Sequence, residues 1–180
     1  MRTPDDVLNF WASIGKKGWW TKDDAIDRQI VEQFTETHAQ AAAGELDHWA
    51  DTADGALALI IVLDQFSRNM FRGDSKTFAQ DAKALELAKR AVEAGFDKQA
   101  MEELRLFFYL PYEHSESITD QNVSVLLMHS IGNNPDNMKA VLEHREIIER
   151  FGRFPHRNTV LGRHTTPAEQ AYLDSGGFKG

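Results

Sequence analysis

The sequence predicts an all-α fold, an array of antiparallel helical hairpins with about seven to eight helices. Three observations carry this reading. Apolar residues recur with a period near 3.6 in almost every segment, and none alternates convincingly with period two. Helix-opening signatures and glycine stops bracket the periodic stretches. The connections between them are short, which makes successive helices antiparallel neighbours.

Thr3-Pro4-Asp5-Asp6 opens the first helix, with a threonine cap, a proline at the first helical position and acids in the first turn. Val7, Phe10, Trp11 and Ile14 form its apolar stripe and Gly15 ends it. The spacing predicts a second helix over 23–43, with Ile26, Ile30, Val31 and Phe34 inward and Gly44 as the stop. A third runs over 53–71; its first half is apolar all round, which predicts a central position. Ser75 caps a fourth helix to Ala94, with Ala79, Ala82, Leu85, Ala88 and Val92 at helical spacing and Gly95 terminating it. A fifth covers 99–115, interrupted by Pro111, which lacks an amide proton and clashes with the carbonyl four residues back. A sixth covers 120–131. Asn134-Pro135-Asp136 opens a seventh, to about Phe151, and Thr166-Pro167-Ala168-Glu169 opens a short last helix before Gly176-Gly177. The alanine-rich fourth helix is similar to the close-packed helix of a tetratricopeptide unit. No strict self-similarity at a period of about 34 residues is visible, so the array is tetratricopeptide-repeat-like rather than a true repeat.

A chain of 180 residues without a low-complexity linker reads as one helical domain, 1–180. With no cysteine, a disulfide framework, a thiolate metal site and a thiol nucleophile are all excluded. The N-terminus MRTPDDVLNFW lacks the pattern of a secretory signal, and the longest apolar run, 56–63, is too short to span a bilayer. A cytoplasmic protein with no membrane association is expected. The net charge of −8 argues against nucleic-acid partners, because a phosphate backbone repels an acidic surface. The charge is uneven: residues 144–180 hold six Lys/Arg against four Asp/Glu, a local +2, which leaves −10 for the first 143. A local basic region in an acidic chain suggests a small anionic ligand or internal ion pairs.

Four polar clusters stand where apolar helices run out. In DQFSRNMFR, Asp64, Arg68 and Arg72 lie four apart on one face, with Gln65 and Asn69 beside them. Asp64 could hold Arg68 so that its guanidinium presents a fixed fork of donors to a carboxylate or phosphate; the alternative is a helix end dressed with ion pairs. In FFYLPYEHSES, Glu113, His114, Ser115 and Glu116 follow a buried run and the Pro111 break. His114 could serve as a general acid or base beside Glu113, or both could bond to the adjacent loop. His144 falls among Val141, Ile148 and Phe151 on the inward face of the seventh helix. FGRFPHRN closes that helix. Gly152, Arg150 and Arg153 suit a helix terminus, whereas His156, Arg157 and Asn158 are not explained by it. In the Trp19-Trp20 pair, one ring is expected to pack while the other covers a cleft. The Glu-x-x-His and His-Glu-x-x-His metal spacings, the nucleophile elbow and the glycine-rich phosphate loops are absent, so no metal or cofactor is expected.

Taken in order, DQFSRNMFR, LPYEHSE and HREIIERFGRFPHRN followed by LGR resemble a bacterial family called domain of unknown function 924. The resemblance runs over nearly the whole chain, including the tryptophan pair. It implies an all-helical, tetratricopeptide-like protein and no particular activity. The matching positions are Asp64, Gln65, Arg68, Asn69, Arg72, Pro111, Glu113, His114, Glu116, His144, Arg153, His156, Arg157, Asn158 and Arg163; Ser67 and Met70 depart from a plainer polar-aromatic motif.

Two readings follow. In the first, a pocket between the third, fifth and seventh helices binds a small anionic molecule. Arg68, Arg72 and Arg157 hold the anion, with Asn69, Arg153, His156 and Asn158 beside them. His114 and His144 exchange protons, and Glu113 and Asp64 orient them. In the second, the helices form a non-catalytic scaffold for a protein or peptide partner, and the polar clusters are a buried structural network. Whether a reaction is catalysed, and the oligomeric state, stay open at this level.

Overall fold

The computed structural model describes residues 2–132 and 134–180, and among them every regular element is helical. They form two compact units. The N-terminal unit holds the chain up to Arg72 together with Lys76–Pro111; the C-terminal unit holds Gly73–Ser75 and Tyr112–Gly180.

In the N-terminal unit, α1 (Pro4–Trp20) starts on the expected cap, where Thr3 and Asp6 form a reciprocal capping box. Gly15, at φ 69°, breaks the helical path as its sequence position predicted, but the chain resumes helical geometry to Trp20. The break turns the tryptophan pair back on the first segment. Trp19 is buried and its Nε1 donates to the Trp11 carbonyl (2.8 Å). Trp20 stays 54% exposed with its face stacked on Phe107. Asp23 caps α2 (Asp24–Ala43), accepting from the amides of Ala25 and Ile26, and Gly44 (φ 86°) stops it. Ile30 and Phe34, one turn apart, face inward, whereas Val31 is exposed because it lies about 100° round the helix from Ile30.

The third predicted helix is one helical run in three parts: α3 (Ala53–Ile60), a π-helical stretch over Ile61–Phe66, and α4 (Ser67–Met70). From Ala56 to Leu63 no residue is more than 2% exposed, so the all-round apolar half is central, as its composition predicted. The wider π turn spans the change from the apolar Ile61, Val62 and Leu63 to Asp64 and Gln65. Two carbonyls of this turn accept side-chain hydrogen bonds, Leu63 from Ser67 Oγ (2.5 Å) and Asp64 from Arg68 Nη1 (2.8 Å). The Ser67 proton is thereby committed to Leu63, so the 2.8 Å contact with His38 Nε2 is donated by the imidazole.

Two sequence expectations need correction here. The fourth helix does not begin at Ser75: Ser75–Phe78 is a 3-10 turn, tied by Thr77 Oγ1 to the Phe71 carbonyl, and α5 covers Asp81–Glu93. Its inward stripe is accordingly Ala84, Leu87, Ala88 and Ala91, and Gly95 (φ 72°) ends it as expected. The fifth helix is a 3-10 run over Glu102–Phe108 followed by the short α6 (Leu110–Glu113). Leu104 and Phe107, three apart, eclipse on one buried face in the tighter helix. Pro111 does not interrupt a helix; it lies in the first turn of one, where no amide proton is required.

In the C-terminal unit, α7 (Ile118–Ser130) and α8 (Pro135–Phe151) pack as a hairpin. Asn134 caps α8 and Gly152 (φ 69°) ends it, both as predicted. A 3-10 turn, Pro155–Arg157, replaces the expected irregular loop, and α9 (Pro167–Asp174) opens on a Thr166/Glu169 capping box. Ile147, Ile148 and Phe154 form a small core on which Phe151, Tyr172 and Phe178 pack. Among the described residues no helix is long and apolar enough to cross a membrane.

Ser67→Ala is expected to destabilise the protein by about 1–3 kcal/mol, because it leaves the buried His38 donor and the Leu63 carbonyl each short of a partner. Equilibrium unfolding in urea measures this, and an unchanged midpoint would exclude a role for Ser67 in closing the π turn.

Candidate functional site

The DQFSRNMFR cluster lies in the N-terminal unit, where its cations meet carboxylates from other helices. Arg72 donates from Nε and Nη2 to both oxygens of Asp27 (2.6 and 3.1 Å), and Asn69 Nδ2 donates to the same carboxylate (2.7 Å). Arg68 makes a second forked pair, with Asp81 (3.0 and 3.2 Å), and also contacts Asp64 Oδ1 at 3.1 Å. Burial works against the Arg68 charge, but Asp64 and Asp81 outweigh it and push its pKa above the ordinary value. Gln65 Nε2 donates to Asp64 Oδ2 (2.7 Å). Asp64 therefore holds Arg68, as its spacing predicted. The chain also supplies the partners Asp27 on α2 and Asp81 on α5, which the i, i+4 pattern gave no means of finding.

The remaining candidates lie in the C-terminal unit, where the segment after α8 is fixed by a connected set of charged hydrogen bonds. Glu116 accepts from Arg163 Nη1 and Nη2 (2.7 and 3.0 Å) and from the Phe154 amide (2.8 Å). Burial works against its charge, yet the bonds from Arg163 and Phe154 hold the carboxyl below its usual range. Arg163 Nε donates to Asn158 Oδ1, and the fully buried Asn158 donates from Nδ2 to Glu169 (3.3 Å). Glu169 closes the set, taking a forked pair from Arg153 (2.6 and 2.9 Å) and the Thr166 amide (2.7 Å). Arg153 and Asn158 thus have structural partners. Glu169 is legible in the sequence only as part of a helix start; its second task, as the counter-ion of Arg153, becomes apparent only in the fold.

This set places Phe154, and three cationic or titratable groups surround its ring. The Arg157 guanidinium lies 4.6 Å from the ring centroid, His144 at 5.5 Å and His156 at 5.6 Å. Arg157 is 6% exposed and donates from Nη2 to the His114 carbonyl (3.0 Å), so the loop folds back onto the FFYLPYEHSES segment. His144 Nδ1 is 2.8 Å from the Ala140 carbonyl and 3.2 Å from Glu113 Oε1. Both neighbours are acceptors, so Nδ1 carries the proton and, in the neutral ring, the lone pair is at Nε2. Burial, with Arg157 and His144 adding repulsion, pushes the half-buried His156 down to about 3, so it is neutral near pH 7. His114 accepts the Arg157 hydrogen bond through its backbone carbonyl.

Sequence reasoning missed Phe178. Its ring lies 4.5 Å from His144 and 5.1 Å from His156, so His144 stands between two aromatic edges. A lone phenylalanine after two glycines carries no signal of such a contact. Among the described residues no group of three or more His, Cys, Asp or Glu is placed to hold a metal ion.

The Arg153 hydrogen bonds hold Glu169 down to about 2, well below its ordinary value of 4.5. A carboxylate with a depressed folded-state pKa contributes stability above the unfolded value and loses it as pH falls. Glu169→Gln is therefore expected to lower the melting temperature at pH 7 and to flatten the fall in stability between about pH 4.5 and pH 2. Thermal melts across that window measure it; parallel curves for the two proteins would contradict the pairing.

Among curated proteins no sequence matches the chain. A solved structure of a protein of unknown function from Agrobacterium tumefaciens is 43% identical, with a TM-score of 0.92, over 96% of this chain and 97% of the other. The motifs that organise both units lie within residues 7–177, which match the model of a family of bacterial proteins of unknown function. The chain belongs to that family, DUF924.

Proposed function

We propose that the protein binds a small carboxylate- or phosphate-bearing molecule in its C-terminal unit, at the cluster built round Phe154. The observation that carries this reading is that Arg157, His144 and His156 share one aromatic ring while Glu113 orients His144. Arg157 supplies the fixed charge, because a guanidinium keeps its proton and offers planar, forked donors. The Glu113–His144 pair supplies acid–base capacity: with Nδ1 committed to Glu113 and Ala140, proton exchange falls to Nε2. Arg153 and Asn158 act by holding the loop through Glu169, and Asp64, Arg68, Asn69 and Arg72 by tying α2, α4 and α5 within the N-terminal unit.

A second reading, a peptide-binding scaffold, draws on a different surface. Arg145 Nε on α8 donates to Asn122 Oδ1 on α7 (2.7 Å), and these two helices carry Leu126 and Leu142. These leucines are 70% and 50% exposed.

A thermal-shift screen with inorganic phosphate and small mono- and dicarboxylates, followed by calorimetric titration, tests the first reading. A ligand at a hundred times its dissociation constant stabilises by about 2.7 kcal/mol. Arg157→Gln is expected to weaken binding by about tenfold or more, the loss of one charged hydrogen bond. No shift across the panel, or equal affinity in Arg157→Gln, would transfer the weight to the scaffold.

A further inference from the structure

The segment after α9 bears on the same cluster, and the following rests on the anion-binding reading for its purpose, though not for its test. Residues 176–180 leave the helix and run back over the two histidines. Gly176 turns with φ 90°, and the Gly177 amide donates to the Tyr172 carbonyl (3.0 Å). The Phe178 amide donates to the Tyr172 hydroxyl (2.9 Å). The Gly176 amide also donates to the Leu173 carbonyl (3.3 Å), and Phe178 packs on the Ile147, Ile148 and Phe154 core, with its ring on His144 and His156. Gly180 lies against the His156 imidazole, where an added Cβ would come within 3.1 Å of Cδ2. Gly177 and Phe178 are partly covered, while Lys179 and Gly180 are exposed.

A short terminal segment with a double-glycine turn, an aromatic tip and exposed Lys179 and Gly180 has the features of one that opens locally. A Cβ at Gly177 would meet Tyr172 Cζ at 2.5 Å, so the closed path depends on glycine at this position. We propose that residues 177–180 are a strap that closes over His156 and His144 through Phe178, and that it lifts about Gly176 to let a ligand reach them. Arg157 is held on the His114 carbonyl, so the anion-attracting group is preset and the histidines are the groups uncovered. The low pKa of His156 agrees with a ring kept from water in the closed state.

Carbethoxylation of the individual histidines, followed by mass spectrometry at pH 7, tests this without any ligand. The proteins compared are the 180-residue chain, Phe178→Ala and Gly177→Ala. Exposed His129 and His164 report reagent strength, and His38, buried in the N-terminal unit, reports unfolding. His156 is expected to react slowly in the unaltered chain and about tenfold faster in both variants, the factor given by roughly 1.4 kcal/mol of lost closure, with His38 unchanged. An unchanged His156 rate in both variants, or a rise shared by His38 in both, overturns the strap. Such a failure would leave the anion titration standing, and a blank anion panel would leave the strap standing.

Discussion

The backbone between α8 and α9 has a short 3-10 turn in place of a long helical ladder, and the carboxylate of Glu116 anchors it. That one group accepts both terminal nitrogens of Arg163 and the amide of Phe154, so it fixes a side chain and a main-chain position together. Arg163 passes the constraint on to Asn158 and to the Phe154 carbonyl, and Asn158 passes it to Glu169. The Phe154 ring that results is the surface against which Arg157, His144 and His156 are arranged. Without the Glu116 contact, the partly buried Arg163 guanidinium would be left short of a counter-charge.

The two units use the same device on different scaffolds. In the N-terminal unit, forked arginine–carboxylate pairs join α2, α4 and α5; in the C-terminal unit, they join the post-helix segment to α9 and to the Glu116 turn. A forked pair fixes direction as well as distance, which suits it to joining elements that share little apolar surface. The groups with proton-transfer capacity are placed differently. Glu113 and His144 pair with each other and with a carbonyl, and the aromatic edges of Phe154 and Phe178 flank the imidazole. Low polarity around such a pair strengthens each of its electrostatic contacts.

The π turn shows how closely local geometry and polar sequence are linked. An apolar helix buried on all sides has no room for a charged residue, yet Asp64 follows Leu63 directly and is 1% exposed. The wider turn, Ile61–Phe66, spans that junction, and Ser67 and Arg68, each four residues beyond a π carbonyl, bond back to it. Ser67, which departs from the simpler polar-aromatic pattern, is thus part of the closure and also holds His38.

The sequence by itself determined the helical class, the caps at Thr3, Asn134 and Thr166, the stops at Gly44, Gly95 and Gly152, and the central place of residues 56–63. These are local properties: periodicity, a side chain bonding to an amide two or three residues on, a backbone angle that glycine adopts readily. It also marked His156, Arg157 and Asn158 as side chains that a helix end does not explain, and His144 as a histidine on an inward helix face. Where packing decided between close alternatives, local signals gave the wrong answer, as at Ser75 and over residues 99–115, where 3-10 geometry replaced α-helix. Only the tertiary structure paired Arg72 with Asp27, Arg163 with Glu116 and Arg153 with Glu169, and only it laid Phe178 on two histidines. Ion pairs and ring contacts between residues far apart in the chain depend on where whole elements come to rest, and no spacing along the sequence encodes that.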